Sequence, residues 1–129
     1  MNFNNFTIKA QESVQKAIDL AQANSQQMIE PSHLLKGVML TADNVTGFLF
    51  QKLGVNGAQL EKVLDREVES YPRVSGGEPM LGRETNAVFQ KATDLASKMG
   101  DQFVSVEHLL LALTEVKSNA SRMMQDAGI

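Results

Sequence analysis

His33 and His108 are the only imidazoles in this 129-residue chain, and it contains no cysteine. A histidine pair offers two kinds of chemistry, metal ligation or proton transfer. Each of the two opens the same tripeptide, His-Leu-Leu, at positions 33 and 108. Neither has a second histidine at helical ligand spacing, and thiolate ligands are excluded. The plainer expectation is that each ring bonds a backbone group near a helix start, a structural role written twice. Glu61, Asp65 and Glu69 stand four residues apart, which suits the solvated face of a helix. Asp101 and Glu107 flank the expected start of another helix, where negative charge complements the helix dipole. Ser75-Gly76-Gly77 lacks the Lys-Ser/Thr that a phosphate-binding loop requires. No set of residues converges on catalysis, so the chain is expected not to be an enzyme.

The elements that carry these residues are duplicated. Gln-Lys-Ala-Ile-Asp-Leu-Ala begins at Gln15, and the same word with threonine for isoleucine begins at Gln90, 75 positions on. In that register Gln27 falls on Gln102, and His33-Leu34-Leu35 falls on His108-Leu109-Leu110, with no gap between the words. A single shared word is chance; two words in one register indicate duplication. A shift one residue shorter aligns Leu53-Gly54-Val55 with Ala127-Gly128-Ile129.

The first copy, residues 6–71, reads as four helices. Ala10, Val14, Ala17, Ile18 and Ala21 form one stripe from Ile8 to Ala23. Pro31 suits the first position of a second helix, with Glu30 before it and Leu34, Leu35, Val38 and Met39 on its buried face. A third helix is expected over Val45–Leu53, stopped by Gly54. Asn56 and Gln59 have the form of a capping box for a fourth, which Pro72 ends. Residues 72–80, with two prolines and Gly-Gly, form a flexible connector. The second copy, 81–129, repeats the plan with helices over Arg83–Met99, after Ser105, and over Asn119–Ala127. The expected class is therefore all-α, a pseudo-twofold duplication of a four-helix unit. The counterpart of the fourth helix, an eighth, is expected to be missing or truncated.

The net charge of −3 and pI near 5.3, with scattered lysines, argue against a nucleic-acid or anionic-membrane face. No apolar run approaches the ~20 residues of a membrane span, and the basic start of a signal peptide is lacking. A soluble, cytoplasmic protein is expected. What remains is surface: Leu20 and Leu95 lie at the same offset from their stripes, at the edge of the buried face. Met99, Met123 and Met124 cluster in the second copy, where methionine fills a core or adapts to a partner.

These residues carry a resemblance. The duplicated unit, with Ile-Glu-Pro-Ser-His-Leu-Leu from Ile29 and Phe-Val-Ser-Val-Glu-His-Leu-Leu-Leu-Ala-Leu from Phe103, resembles the Clp N-terminal domain of the Clp/Hsp100 AAA+ unfoldases over essentially the whole chain. Gly-Asp-Gln-Phe-Val-Ser-Val from Gly100 is most similar to the ClpB disaggregase branch. The resemblance implies a stress-response chaperone module that binds exposed apolar segments of unfolded or aggregated polypeptide. It implies a full-length homo-hexamer using ATP and Mg and cooperating with the DnaK chaperone; no cofactor is expected in this chain. By the same resemblance Thr7, Asp101 and Glu107 match polar residues of substrate handling, and Leu95 matches a position of an apolar groove, with Phe89 one and a half turns earlier. Lys91 departs from the pattern, standing where relatives can carry an apolar residue. Leu95 reads equally as groove lining or as core. Docking of a dedicated adaptor, as in the protease-linked relatives, is the alternative function.

Overall fold

A computed structural model describes residues 2–129. Its helices are α1 (Ile8–Ala23), α2 (Pro31–Thr41), α3 (Asp43–Leu53), α4 (Gly57–Ser70), α5 (Arg83–Lys98), α6 (Val106–Glu115) and α7 (Asn119–Asp126). Two short strands, β1 (Met28–Ile29) and β2 (Met80–Leu81), pair in parallel. The all-α architecture expected from the repeat is therefore the one observed.

Local chemistry sets the boundaries. The Thr7 hydroxyl accepts the Ala10 N–H and opens α1, and Asn56 does the same for Gln59 at α4. At Asn56 only the cap's forward bond forms, so the expected capping box is half made. α3 begins at Asp43, two residues before the expected start, directly after the end of α2. Gly54 ends α3 in the left-handed region at φ 71°. The repeated word explains itself here. Ala17 and Ala21, like Ala92 and Ala96, are buried, while Gln15 bonds Asp19 and Gln90 bonds Asp94 along the outer face.

α2 lies at the centre and touches every other helix. Leu34, Leu35 and Val38 on α2, with Leu109, Leu110 and Leu113 on α6, are buried at the middle of one continuous core. Gly37 permits this position, because a Cβ there would stand 2.5 Å from the Ser13 carbonyl oxygen of α1. The equivalent residue in the second copy is Ala112.

The two copies are stitched crosswise. Phe6 pairs with Val104 in a parallel bridge, and Ile29 pairs with Leu81. In the register of 75, Phe6 corresponds to Leu81 and Ile29 to Val104, so the two pairings are the same contact made twice. The hydrogen bonds agree: Thr7 N–H donates to Val104 C=O at 2.8 Å, and Gly82 N–H donates to Ile29 C=O at 3.0 Å. The connector is tied at both ends, by Val74 N–H to Ser25 C=O and by Met80 N–H to Gln27 C=O. Between these anchors Gly76 and Gly77 both have positive φ.

Comparison of the copies yields two predictions of opposite sign. Ser25 has φ 55° where its counterpart Gly100 has 74°, so a serine occupies a conformation that costs an L-residue roughly 1 kcal/mol. Ser25→Gly should raise the unfolding free energy by up to about 1 kcal/mol. Gly37→Ala, despite the better helix propensity of alanine, should lower it by about 2 kcal/mol through overpacking against α1. Urea unfolding of both variants checks the pair.

Candidate functional site

Both histidines are fully engaged. The His33 Nδ1 accepts the Glu30 N–H at 2.9 Å, which leaves the proton on Nε2 to be donated to Gln26 Oε1 at 2.7 Å. Gln26 in turn donates from Nε2 to the Val68 carbonyl at 2.6 Å. His108 repeats the arrangement: Nδ1 accepts the Ser105 N–H at 2.9 Å and Nε2 donates to Asp101 Oδ2 at 2.9 Å. Neither ring has a free lone pair for a metal or a substrate proton. Among the described residues no group of three or more His, Asp or Glu is placed to hold a metal ion. The histidines are helix-start clamps whose outer partner differs between the copies, glutamine in the first and aspartate in the second.

With that chemistry assigned to structure, the surface remains. Between α1, α2 and α4 lies a cavity of about 270 Å³ bordered by Leu20, Asn24, Lys36 and Asp65. The Lys36 ammonium is paired with the Asp65 carboxylate, so Asp65 is more than solvated decoration. Moving Leu20, Asn24 and Lys36 by 75 positions gives Leu95, Met99 and Leu111. The polar flank of the first repeat is thus apolar in the second. Met99 is 55 % exposed and Leu111 is 37 % exposed, while Leu95 is half-buried against the core. Lys91 sits beside this strip on α5 and reaches Glu115 of α6 at 3.6 Å, which keeps its charge off the apolar positions.

The polar residues named from sequence gather near one end of the strip. Asp101 follows α5, its N–H bonded to Ala96, and its carboxylate holds His108. Thr7 is joined to Val104 through the backbone and is half-buried, with its hydroxyl committed to capping α1. Glu107 is exposed in the first turn of α6. Exposed apolar residues adjoin the Thr7–Val104 bridge: Ile8, 76 % exposed, follows Thr7, and Phe103 precedes Val104.

Phe89 requires a correction as groove lining. It is 1 % exposed and packs edge-on against Phe3 and Phe6, with ring centroids 5.2 and 5.9 Å away. It fastens the N-terminal segment to α5 and offers no surface. Met124 is likewise core, and Met123 is half-buried.

Leu111 and Phe103 were not among the residues singled out from sequence. A signal existed for Leu111. The run Leu109-Leu110-Leu111 is apolar on consecutive positions, and a helix with one buried face cannot hide all three.

The chain matches the family model of the Clp repeat (R) N-terminal domain over residues 5–127. It is 60 % identical over its whole length to the chaperone protein ClpB of Bacteroides thetaiotaomicron, covering 15 % of that protein. It is 48 % identical over 99 % of its length to the ClpB of Porphyromonas gingivalis, again covering 15 %. The crystal structure of the Hsp104 N-terminal domain from Candida albicans superimposes with a TM-score of 0.87 at 21 % identity, with 98 % of this chain and 83 % of that one covered. The chain belongs to the Clp N-terminal domain family. Within it, the chain is similar to bacterial ClpB chaperones and spans about 15 % of their length. No helix of the described residues is long and apolar enough to cross a membrane.

The His33 clamp has a pH signature. Burial lowers its pKa from 6.5 to about 4. Its Nδ1 could be protonated only by giving up the Glu30 bond. The folded state therefore binds fewer protons than the unfolded chain between these values. Its contribution is complete above pH 6.5 and is lost as pH falls toward 4. Between pH 7 and 5, where ordinary carboxylates stay ionised, stability should fall by about 2 kcal/mol. Urea unfolding at the two pH values checks this, and His33→Gln should lack that fall.

Proposed function

We propose that the strip formed by Leu95, Met99 and Leu111, with Ile8 and Phe103 at its polar end, captures exposed apolar segments of unfolded or aggregated polypeptide. The observation carrying this reading is the conversion of a polar flank in the first repeat into an apolar one at equivalent positions of the second. Exposed methionine and leucine side chains gain by covering, at ~25 cal/mol per Å² of apolar surface, and impose little sequence preference. Thr7 borders the site with its hydroxyl committed to α1 and Asp101 with one oxygen held by His108, while Glu107 offers an exposed carboxylate to a passing chain. Capture on such terms is weak and rapidly reversible, which suits a module that passes its cargo onward. In the full-length protein the cargo goes to an ATP- and Mg-dependent hexameric ring in the cytoplasm, working with the DnaK chaperone. Membership of the ClpB-like branch supports that wider setting.

The test is NMR titration with a blocked twelve-residue peptide rich in leucine and phenylalanine. Fast-exchange shifts are expected at Leu95, Met99 and Leu111. Leu111→Ser, at a position already exposed, should weaken binding about fivefold, the equivalent of roughly 1 kcal/mol of lost burial. Unchanged affinity would sink the capture reading. So would tight binding of one folded partner with no response to the peptide, the behaviour expected of adaptor docking.

A further inference from the structure

The first repeat has its own exposed apolar feature, at the other crosswise bridge. Met28 is the counterpart of Phe103 in the register of 75, and it faces Met80 where β1 pairs with β2. Both are open to solvent, Met28 at 46 % and Met80 at 70 %. Beside them lies a cavity of about 290 Å³ whose apolar walls are Met28, Tyr71, Pro72 and Val74. That is room for one long side chain with space for solvent. Val74 is itself 46 % exposed, so the apolar surface extends from the cavity onto the connector.

Glu30, an acidic residue, also borders the cavity. Glu30 is half-buried, and a Cβ on Gly82 would collide with its Oε1, so it is packed against the start of α5. The ion pairs among the described residues join Lys9 to Glu12, Lys36 to Asp65, Lys91 to Glu115 and His108 to Asp101; none includes Glu30. Arg73, the basic residue nearest the cavity in sequence, is directed to Asn24 Oδ1 at 3.4 Å. Glu67 stands close by and takes the Tyr71 hydroxyl at 2.9 Å and the Asn119 amide at 2.6 Å, both neutral donors. Burial raises the Glu30 pKa, and the charges of Glu84 and Glu67 raise it further. As the N-cap of α2 its side chain already takes the His33 N–H, but no cation pairs with it and its charged neighbours are negative, so an arriving cationic side chain is favoured there.

We propose that this cavity is a second peptide-binding site, selective for an extended segment in which a lysine or arginine adjoins apolar residues. The cation meets Glu30, its aliphatic stem lies on Met28 and Val74, and the neighbouring apolar side chain covers Met80. The acidic lining disfavours an anionic lipid surface, and the cavity is too small to seat a folded domain. This site lies on the first repeat and the connector and does not rest on the capture strip of the second.

The experiment titrates the methyl-labelled protein with three blocked hexapeptides that alternate leucine with arginine, glutamate or serine. The Leu/Arg peptide is expected to shift the Met28 and Met80 methyl signals saturably, with the Leu/Glu peptide at least tenfold weaker. Glu30→Gln should weaken the Leu/Arg peptide at least fivefold and leave Leu/Ser binding at Leu111 unchanged. If Glu30→Gln does not fold, Met28→Gln, at an exposed position, replaces it with the same expected loss. Equal binding of the Arg and Glu peptides overturns the proposal. Shifts confined to the strip at Leu111, or no effect of either substitution, overturn it as well. A silent Leu111 strip with responsive Met28 and Met80 would instead retire the capture reading alone.

Discussion

The crosswise main-chain pairing between the repeats is the constraint on which the rest depends. Each repeat approaches its first helix through a residue whose neighbour must find a hydrogen-bond acceptor. It approaches its second helix through a residue whose carbonyl must find a donor. Thr7 N–H with Val104 C=O, and Gly82 N–H with Ile29 C=O, solve both problems by exchange between repeats. The side chains at these bridges, Phe6, Ile29 and Val104, are buried, so the polar exchange is sealed by apolar contact. A lone repeat would expose those groups along with the faces of α2 that meet α5, α6 and α7. The contact is self-complementary, as in a symmetric dimer, with the two partners carried on one chain.

Against this symmetric pairing, the departures from symmetry can be followed residue by residue. Thr7 caps α1 with its hydroxyl, whereas Gly82 starts α5 with no side chain because the Glu30 carboxylate occupies that space. Glu30 corresponds to Ser105, so the second repeat has a capping hydroxyl where the first has a carboxylate. Gln26 corresponds to Asp101, and the two histidine clamps consequently differ in the charge of their outer partner. Asn24 and Lys36 correspond to Met99 and Leu111, which moves apolar surface to one repeat only. The scaffold is shared, and the two surfaces are not.

Most of the scaffold could be read from the chain because its signals are local. Pro31, Ser105, Gly54 and Gly100 mark helix ends by conformational preference alone, and the alanine stripes mark buried faces by spacing. The strands could not be read this way: two residues carry no period, and β1 and β2 exist only because the other repeat supplies a partner. The site was legible in part. Leu95 was located by its angle on α5, and its half-burial agrees with that angle. Phe89 has a side chain as apolar as any groove could need, and only the packing of Phe3 and Phe6 over it decides that it is core. Phe103 escaped notice for the converse reason. Its exposure follows from Val104 taking the inward position of a two-residue bridge, which no periodicity announces.

The distribution of unsatisfied groups separates the two surfaces in kind. At the strip, the Thr7 hydroxyl is spent on α1 and one Asp101 oxygen on His108, so Glu107 is the main polar group left open and apolar contact dominates the proposed capture. Such a surface discriminates little, because one methylene more or less is worth under 1 kcal/mol. At the Met28 cavity the proposed balance is different, since the half-buried Glu30 carboxylate, engaged at the start of α2 but paired with no cation, favours a cationic side chain and repels an anionic one. A single chain carrying both would hold apolar segments of any sequence on one repeat and sort them by charge on the other. The same duplication that makes the fold self-complementary thereby leaves two equivalent edges free to diverge, one toward tolerance and one toward choice.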